Sequence, residues 1–228
     1  MPSKKTKKQA PPSMGPLLAI LALLTGLFAS VIYMIDQHAD NFYIFDPSEL
    51  HNLSQRAIAA HGEDMHGIKD YIVSELSAKH PDHVNVGEEW FFNNAGGAMG
   101  GMFIIHASIT EYLIIFGTAI GTEGHSGRHT SDDYFNILKG TQLAYSLGSF
   151  EPEVYPAGSV HHLHRGDVKQ YKMPEGCFAL EYARGWIPPM LFFGFADGFS
   201  STLDVPTLWT TTKISAREIV GNLLKGKI

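Results

Sequence analysis

Two glutamates in this chain lie within apolar segments, where an ionisable side chain is unusual. Glu181 lies inside residues 178–182, which read Phe-Ala-Leu-Glu-Tyr, and Glu111 begins the apolar run 111–116. A carboxylate buried in such a segment must have a partner or a chemical use, because an unpaired buried charge is costly. The two segments therefore indicate buried ion pairs or functional acids, and Arg184 is the partner expected for Glu181 in the first case.

Three blocks of the sequence, in the same order, resemble the fungal C-8 sterol isomerases and their relative, the sigma-1 receptor. The first is residues 90–119, which join the turn Asn-Asn-Ala-Gly-Gly-Ala-Met-Gly to the apolar run that holds Glu111. The second is Gly-His-Ser-Gly-Arg at 124–128, and the third is Leu-Glu-Tyr-Ala-Arg-Gly-Trp-Ile-Pro at 180–188. The resemblance extends from about residue 41 to the C-terminus. The segments that look like the isomerase branch rather than the receptor branch are 93–100, 121–125, 132–135 and 199–204.

The resemblance implies an enzyme of ergosterol-type synthesis that moves a sterol ring double bond from position 8 to position 7. This reaction adds one proton to carbon and removes another, with a carbocation between, so we expect no cofactor. An alkene is weakly basic, so the acid must be a carboxyl kept neutral by apolar surroundings. A carboxylate or aromatic faces must meet the cation, and two carboxyls in one pocket can share a proton. The alternative is a non-catalytic, ligand-binding membrane protein like the sigma-1 receptor, because a shared fold does not fix activity.

The resemblance also implies roles for individual residues. Glu181 matches the glutamate that binds amines in the receptor, and Tyr112 matches the tyrosine that hydrogen-bonds this glutamate. The receptor's aspartate falls on Phe135 in this chain and cannot be carried over. On a strand, Asp133 shares a face with Phe135, whereas Asp132 points the other way. We therefore predict Glu181 and Asp133 as the catalytic carboxyls, with Asp132 as the alternative to Asp133.

A sterol site also needs an apolar wall. The predicted substrate-binding residues are Tyr112, Trp90, Met99, Phe103, Phe135, His162, Phe192 and Phe195. The segment 156–166, with His161, His162 and His164, resembles cupin barrels, whose histidines often bind a metal. We expect no metal here, because a site would need a further matching ligand and the sigma-1-like family is cupin-like without one. A cupin metalloenzyme acting on small polar substrates is the third alternative.

The expected partners follow from this chemistry and from the charge of the chain. They are a Δ8 sterol, lipophilic cationic amines as inhibitors that imitate the carbocation, membrane lipid, and further copies of the chain, with a trimer implied by the receptor. The four lysines within residues 4–8 leave 13 basic against 23 acidic residues elsewhere. This acidic body argues against nucleic acid as a partner. The single Cys177 excludes an intrachain disulfide.

A membrane anchor is predicted near the N-terminus. Residues 17–35 carry no charge and are close to the length that crosses a bilayer. A cleaved signal peptide is the alternative, but no small-residue cleavage pattern follows. The lysines of the tail 1–16 favour a cytosolic N-terminus in a single-pass protein of the endoplasmic reticulum membrane. The body would then be lumenal, with Asn52 as a possible glycosylation acceptor.

The elements that hold these residues predict one α+β domain after the anchor. Asp46-Pro47-Ser48-Glu49 predicts a helix start, with that helix reaching about Ala60, and a second helix should stop at His80-Pro81. Short segments rich in β-branched and aromatic residues follow, punctuated by Gly and Pro, and indicate antiparallel strands that form a small barrel or sandwich. The resemblance implies a cupin-like barrel, within residues 36–185. Residues 186–228 of the same domain are predicted as membrane-adjacent amphipathic helices, the last from about Val205 to Leu224.

Overall fold

The computed structural model describes residues 14–228, which form two compact units, residues 14–39 and residues 40–228. The first unit is helix α1 (Met14–Gln37), so residues 14–16 of the predicted tail belong to the helix. Within the described residues, this is the one helix long and apolar enough to cross a membrane. The predicted span 17–35 is thus confirmed as a helix, while the lysines of the tail lie outside the described residues.

The second unit begins with two helices that cover one face of a sheet. Helix α2 (Pro47–His61) starts where predicted, because the Asp46 side chain accepts hydrogen bonds from Ser48 N and Glu49 N at 2.9 and 3.0 Å. Helix α3 (Met65–Lys79) ends before Pro81, which cannot continue it. Both helices pack their apolar sides on one cluster with the sheet; it includes Leu53, Ala57, Ile68, Ile72, Phe103, Leu113, Ile115 and Tyr182.

Within the described part of the chain, residues 14–228, ten strands form two antiparallel sheets, as the alternation of turns and β-branched residues predicts. The larger sheet has the order β1-β2-β3-β10-β5-β8, and the smaller has the order β4-β9-β6-β7. The bounds are β1 Trp90–Ala95, β2 Ala98–Ala107, β3 Glu111–Thr118, β4 Thr122–His125, β5 Ser131–Lys139, β6 Thr141–Tyr145, β7 Glu153–Pro156, β8 Val160–Leu163, β9 Gln170–Met173 and β10 Cys177–Gly185. The α+β class is therefore confirmed.

The two faces of the large sheet have different surroundings. Along β3, Leu113 and Ile115 face α2 and α3, whereas Tyr112, Ile114 and Phe116 belong to a second cluster on the opposite face. We call the face of Tyr112 the inner face and the other the outer face. Because side chains alternate along a strand, each position on β3, β5 and β10 belongs to one face or the other.

The chain ends in three helical segments that lie against β1 and β2. They are α4 (Ile187–Asp197), a π-helical turn at Gly198–Thr202 and α5 (Val205–Leu224). Asp204 caps α5 by accepting a hydrogen bond from Thr207 N at 3.2 Å, so the predicted start of this helix is confirmed. Asn222 fixes its far end by donating to Ala107 O at 2.9 Å.

Candidate active site

A cavity of about 170 Å³ lies between the inner face of the large sheet, the small sheet and the C-terminal helices. Its lining is mainly apolar and aromatic, with a few polar groups. The lining residues include Met99, Met102, Tyr112, Ile114, Phe116, Phe135, Tyr171, Glu181, Met190, Leu191, Phe193, Phe195, Leu208 and Thr211, together with His125 and His129. A predominantly apolar cavity with few convergent polar groups is typical of a small-molecule site.

Glu181 and Asp133 share the inner face next to this cavity. Strand β10 pairs with β5, with Glu181 opposite Phe135 and Ala183 opposite Asp133. Glu181 and Asp133 are thus diagonal neighbours, a relation that spans about 7–8 Å between Cα atoms. Glu181 lines the cavity, whereas Asp133 is 1 % exposed and is not among the lining residues. The register brings together the two carboxyls that the sequence singles out.

These two carboxyls have almost no compensating partners. Asp133 accepts one hydrogen bond from Ser131 Oγ at 2.9 Å. Within residues 14–228, the Glu181 carboxyl has no hydrogen bond and no ion pair, and the expected partner Arg184 lies on the outer face. Its guanidinium donates to Tyr134 Oη at 3.2 Å and lies 5.5 Å from the Tyr43 ring centroid. Glu181 is therefore not part of a structural ion pair.

Because both carboxyls are removed from water and have no cation beside them, their pKa values are raised. Burial, assisted by the charge of Asp133, raises the pKa of Glu181 to about 8. Burial raises the pKa of Asp133 to about 7, with the Ser131 hydrogen bond opposing and the charge of Asp132 assisting. A neutral carboxylic acid at neutral pH beside a second carboxyl can act as a general acid, with the second group ready to accept a proton.

Tyr112 lies in the cavity, but its hydroxyl is not bonded to Glu181. The hydroxyl donates to Met102 Sδ at 3.9 Å. Burial raises its pKa, and the nearby charge of Glu181 adds to the effect. The expectation that Tyr112 orients Glu181 by a hydrogen bond is therefore corrected, because the hydroxyl is directed at the neighbouring strand β2. Tyr171, on the small sheet, is a second cavity tyrosine whose pKa is raised by burial and then by Glu181.

Asp132 points to the outer face, away from the cavity. Its Oδ1 lies 3.1 Å from His162 Nε2 and 3.7 Å from His164 Nδ1, and it accepts from Arg165 N at 3.2 Å. The ligand atoms of Asp132, His162 and His164 lie within 4.8 Å of one another, the one such group in residues 14–228 that could hold a metal. Because this group is on the outer face, it has no access to the carboxyls of the cavity.

Four predicted wall residues lie outside the cavity. Phe103 is on the outer face, since Met102 occupies the inner position on β2, and Trp90 stacks on Phe103 with ring centroids 5.7 Å apart. His162 stacks on Tyr134 at 4.1 Å beside Asp132. Phe192 is 72 % exposed on α4. Met99, Phe135 and Phe195 do line the cavity.

Glu111 forms a buried ion pair, one of the two roles that its apolar segment indicates. Its carboxylate lies 2.8 Å from Lys227 Nζ. Glu111 is fully buried and also accepts hydrogen bonds from Ile44 N, Phe45 N and Tyr182 Oη at 2.9, 3.0 and 2.7 Å. Glu111 therefore joins the C-terminus, the start of the second unit and β3.

Residues 22–227 match the family described as "ERG2 and Sigma1 receptor like protein". The chain belongs to this family. A C-8 sterol isomerase of Gibberella zeae is 68% identical over 227 residues, covering 100% of this chain and 96% of that protein. The C-8 sterol isomerase of Aspergillus fumigatus is 67% identical, covering 91% of this chain and 87% of that protein. The sigma non-opioid intracellular receptor 1 of Gallus gallus is 36% identical, covering 87% and 90%.

Solved structures similar to this chain include cupins. One is an RmlC-like cupin from Shewanella frigidimarina, with a TM-score of 0.40, 15% identity and coverage of 47% of this chain and 95% of that chain. The resemblance to the sterol isomerase and sigma-1 receptor family, expected from separated sequence blocks, is confirmed over almost the whole chain.

Several cavity residues were missed by the sequence reasoning. Ile114 and Phe116 follow Tyr112 at alternate positions on β3 and would have been found by extending the alternation that gave Asp133. His125 lies in the block 124–128, and His129 follows it, but no neighbouring residue in the sequence marked either histidine as a site residue. Tyr171 carries no local signal, because only the pairing of β9 within the small sheet brings it to the cavity.

Proposed function

We propose that this protein is a sterol isomerase that moves a ring double bond from C8 to C7, acting from the membrane. One observation carries the proposal: two carboxyls that have no cation partner within residues 14–228, the partly buried Glu181 and the buried Asp133, lie together on the sheet face that borders an apolar cavity. The relatives named C-8 sterol isomerase support the same activity at 66 to 68% identity.

In the proposed mechanism, the neutral member of the carboxyl pair donates its proton to C9 of the C8–C9 double bond. The π electrons form the new C9–H bond, and a tertiary carbocation is left at C8. A carboxylate then removes a proton from C7, and the electrons of that C–H bond form the C7–C8 double bond. The sterol keeps its composition, and one proton has entered the pair as another left it. Proton transfer between the two carboxyls restores the starting state.

The surroundings of the pair suit such a cation. Among residues 14–228, no cation is paired with Glu181, so a carboxylate is free to stabilise the developing cation. The faces of Phe135, Tyr112 and Tyr171 add quadrupole attraction, which is strongest when water is excluded. Protonated lipophilic amines would be inhibitors for the same reason, since they resemble the intermediate more than the substrate.

The membrane placement is part of the proposal. Helix α1 anchors the protein in the endoplasmic reticulum membrane, with a cytosolic N-terminus and a lumenal body in which Asn52, exposed on α2, is a glycosylation acceptor. Exposed apolar side chains on the C-terminal helices, such as Phe192, Phe199 and Trp209, would lie in the lipid interface.

The protein would assemble as a homo-oligomer, and the relation to the sigma-1 receptor favours a trimer. Protease added to intact microsomes should spare residues after about 35, whereas digestion of the body would reverse this orientation.

The activity is tested by expression in a fungal strain that lacks its own C-8 sterol isomerase. We expect the Δ8 sterols of that strain to be replaced by Δ7 sterols, and we expect Glu181→Gln to leave Δ8 sterol unchanged at equal protein level. Persistent Δ8 sterol with the unmutated chain would instead favour a ligand-binding role like that of the sigma-1 receptor.

A further inference from the structure

Two histidines at the cavity, His125 and His129, are outside the carboxyl chemistry described above. Both line the cavity, and both rings lie against Phe193 of α4, with centroid distances of 6.2 and 5.4 Å. The segment between them makes a tight turn at Gly127, whose φ is +85°. A Cβ atom at that position would overlap the His129 ring, so only glycine permits the observed placement.

The hydrogen bonds to the backbone fix which nitrogen of each ring carries the proton. Gly127 N donates to His125 Nδ1 at 2.9 Å, so Nδ1 is the acceptor and the proton of neutral His125 is on Nε2. His129 Nε2 lies 2.7 Å from Ser126 O, which only accepts, so His129 donates from Nε2 and its Nδ1 is unprotonated. Burial lowers the pKa of His129 and favours this neutral form.

The second nitrogen of each ring is left for a ligand, and the two nitrogens have complementary hydrogen-bonding roles. His125 Nε2–H is a donor and His129 Nδ1 is an acceptor, and no group within residues 14–228 is bonded to either atom. A hydroxyl group is both acceptor and donor, so it can accept from His125 and donate to His129 at once. A ketone or an ether can only accept, and a hydrocarbon can do neither.

The position of this pair relative to the carboxyls suits a sterol. His129 lines the cavity two residues before the start of β5, and Ser131, the first residue of that strand, donates to Asp133. Even in a fully extended chain, four residues would separate the Cα atoms of His129 and Asp133 by at most about 14 Å. A distance within that limit places a hydroxyl bound by the histidines within two fused six-membered rings of the carboxyls. In a sterol, the 3-hydroxyl is on the first ring and the double bond is in the second.

We propose that His125 and His129 together bind the 3-hydroxyl of the sterol, with His125 as donor and His129 as acceptor, and so align the double bond with Glu181 and Asp133. This inference rests on the proposed sterol isomerase function. It assigns the orientation of the sterol in the same cavity and the selectivity of the cavity for a 3-hydroxyl group. The hydroxyl-bearing ring lies next to Phe193 of α4, and the second ring lies next to the carboxyls.

The test uses three Δ8 sterols that differ only at position 3: the 3β-alcohol, the 3-ketone and the 3-deoxy compound. For the unmutated protein we expect kcat/KM to fall about tenfold from alcohol to ketone and about tenfold again to the deoxy sterol. Each step removes one hydrogen bond, and one such bond of ordinary strength corresponds to about a tenfold change.

Two variants cross-check the assignment. His129→Phe removes the acceptor, so the alcohol and the ketone should become equal while the ketone remains better than the deoxy sterol. His125→Phe removes the donor, so the ketone should lose its advantage over the deoxy sterol while the alcohol remains better than both. A lipophilic amine without oxygen should bind both variants as it binds the unmutated protein, which shows that the cavity is intact.

Equal kcat/KM for the three sterols with the unmutated protein would overturn the inference, as would unchanged ratios in both variants. If a variant also lost amine binding, the ratios of the unmutated protein would still decide. If the unmutated protein turned over none of the three sterols, the proposed isomerase function would fail. In that case the dissociation constants of the three sterols, measured by competition with the amine, would test the hydroxyl site separately from the isomerase activity.

Discussion

Glu181 and Glu111 lie on neighbouring strands of one sheet, and their surroundings are opposite. Glu111 on the outer side has a lysine, two backbone N–H groups and a tyrosine hydroxyl around it. Glu181 on the inner side has no such partner within residues 14–228, and its pKa is raised by burial and then by the charge of another carboxyl, Asp133. Burial alone therefore does not identify a functional acid. The partners of the carboxyl identify it, because a carboxylate with a cation and hydrogen-bond donors stabilises the fold, whereas one without them is kept neutral.

The largest expected effect is on catalysis and belongs to the inner site. Glu181→Gln keeps the shape of the side chain but removes its proton chemistry, so isomerisation should fall by about 10²–10⁴-fold, the usual range for a lost general acid or base. The melting temperature should stay the same or rise, because a buried ionisable group is removed. Rate assays on purified protein and thermal unfolding of the same sample check both parts, and a large loss of stability would place Glu181 among the structural residues.

The matching change at the outer site should act on stability instead. Lys227→Met leaves Glu111 buried without its cation, and such a loss costs about 3–5 kcal/mol of folding free energy. Activity per folded molecule should remain near the unmutated value at low temperature. Lys225→Met is the control, since Lys225 is an exposed lysine on the same C-terminal segment and should change stability little. Equal stability of the two variants would remove the distinction between the two glutamates.

Asp133→Asn should have an intermediate effect. It keeps the hydrogen bond position of Ser131 but takes one carboxyl from the pair, so we expect a loss of activity of about 10–100-fold and weaker binding of protonated amines. Asp132→Asn is the matched control, because Asp132 lies on the outer face and contacts His162. A larger loss from Asp132→Asn than from Asp133→Asn would transfer the role to Asp132.

The binding of amines separates charge from apolar contact. A lipophilic amine should bind much more tightly than the compound in which carbon replaces its nitrogen, and Glu181→Gln should reduce this difference. Competition binding with the two compounds measures it. Equal binding of both to the unmutated protein would mean that apolar surface alone determines affinity.

The last expected effect is the pH dependence of stability. Glu181 and Asp133 have raised pKa values in the folded state, near 8 and 7, against ordinary values of 4.5 and 3.8. The folded protein therefore binds more protons than the unfolded chain between about pH 4 and pH 8, and its stability should decrease as pH rises through this window. Glu181→Gln should flatten that decrease. Chemical denaturation at several pH values checks it, and identical slopes in the two proteins would contradict the assigned pKa shift.

Much of the fold could be predicted from local pattern. The cap at Asp46, the stop before Pro81, the apolar helix α1 and the start of α5 depend on residues within a short stretch of chain, so they can be predicted from the local sequence. Alternation on a strand put Asp133, and not Asp132, on the face of Phe135, but its diagonal placement next to Glu181 depends on the pairing of β5 with β10.

Other parts could not be predicted because they depend on distant pairing. Nothing in the sequence tells which face of β2 is the inner one, and a bulge between Ile104 and His106 shifts the alternation along that strand. Phe103 and Trp90 were therefore placed on the wrong side. The pairing of Glu111 with Lys227 joins residues that are 116 positions apart in the chain, so no local sequence pattern predicts it.

The central claim is that Glu181 is a neutral acid at neutral pH, and infrared spectroscopy tests it most directly. The difference spectrum between the unmutated protein and Glu181→Gln at pH 7 should contain the C=O stretch of a protonated carboxylic acid, with the small downshift in D₂O that an exchangeable acid proton causes. The band should weaken as the pH is raised above about 8, the value to which burial raises the pKa of Glu181. A difference spectrum that contains only carboxylate bands at pH 7 would contradict the account.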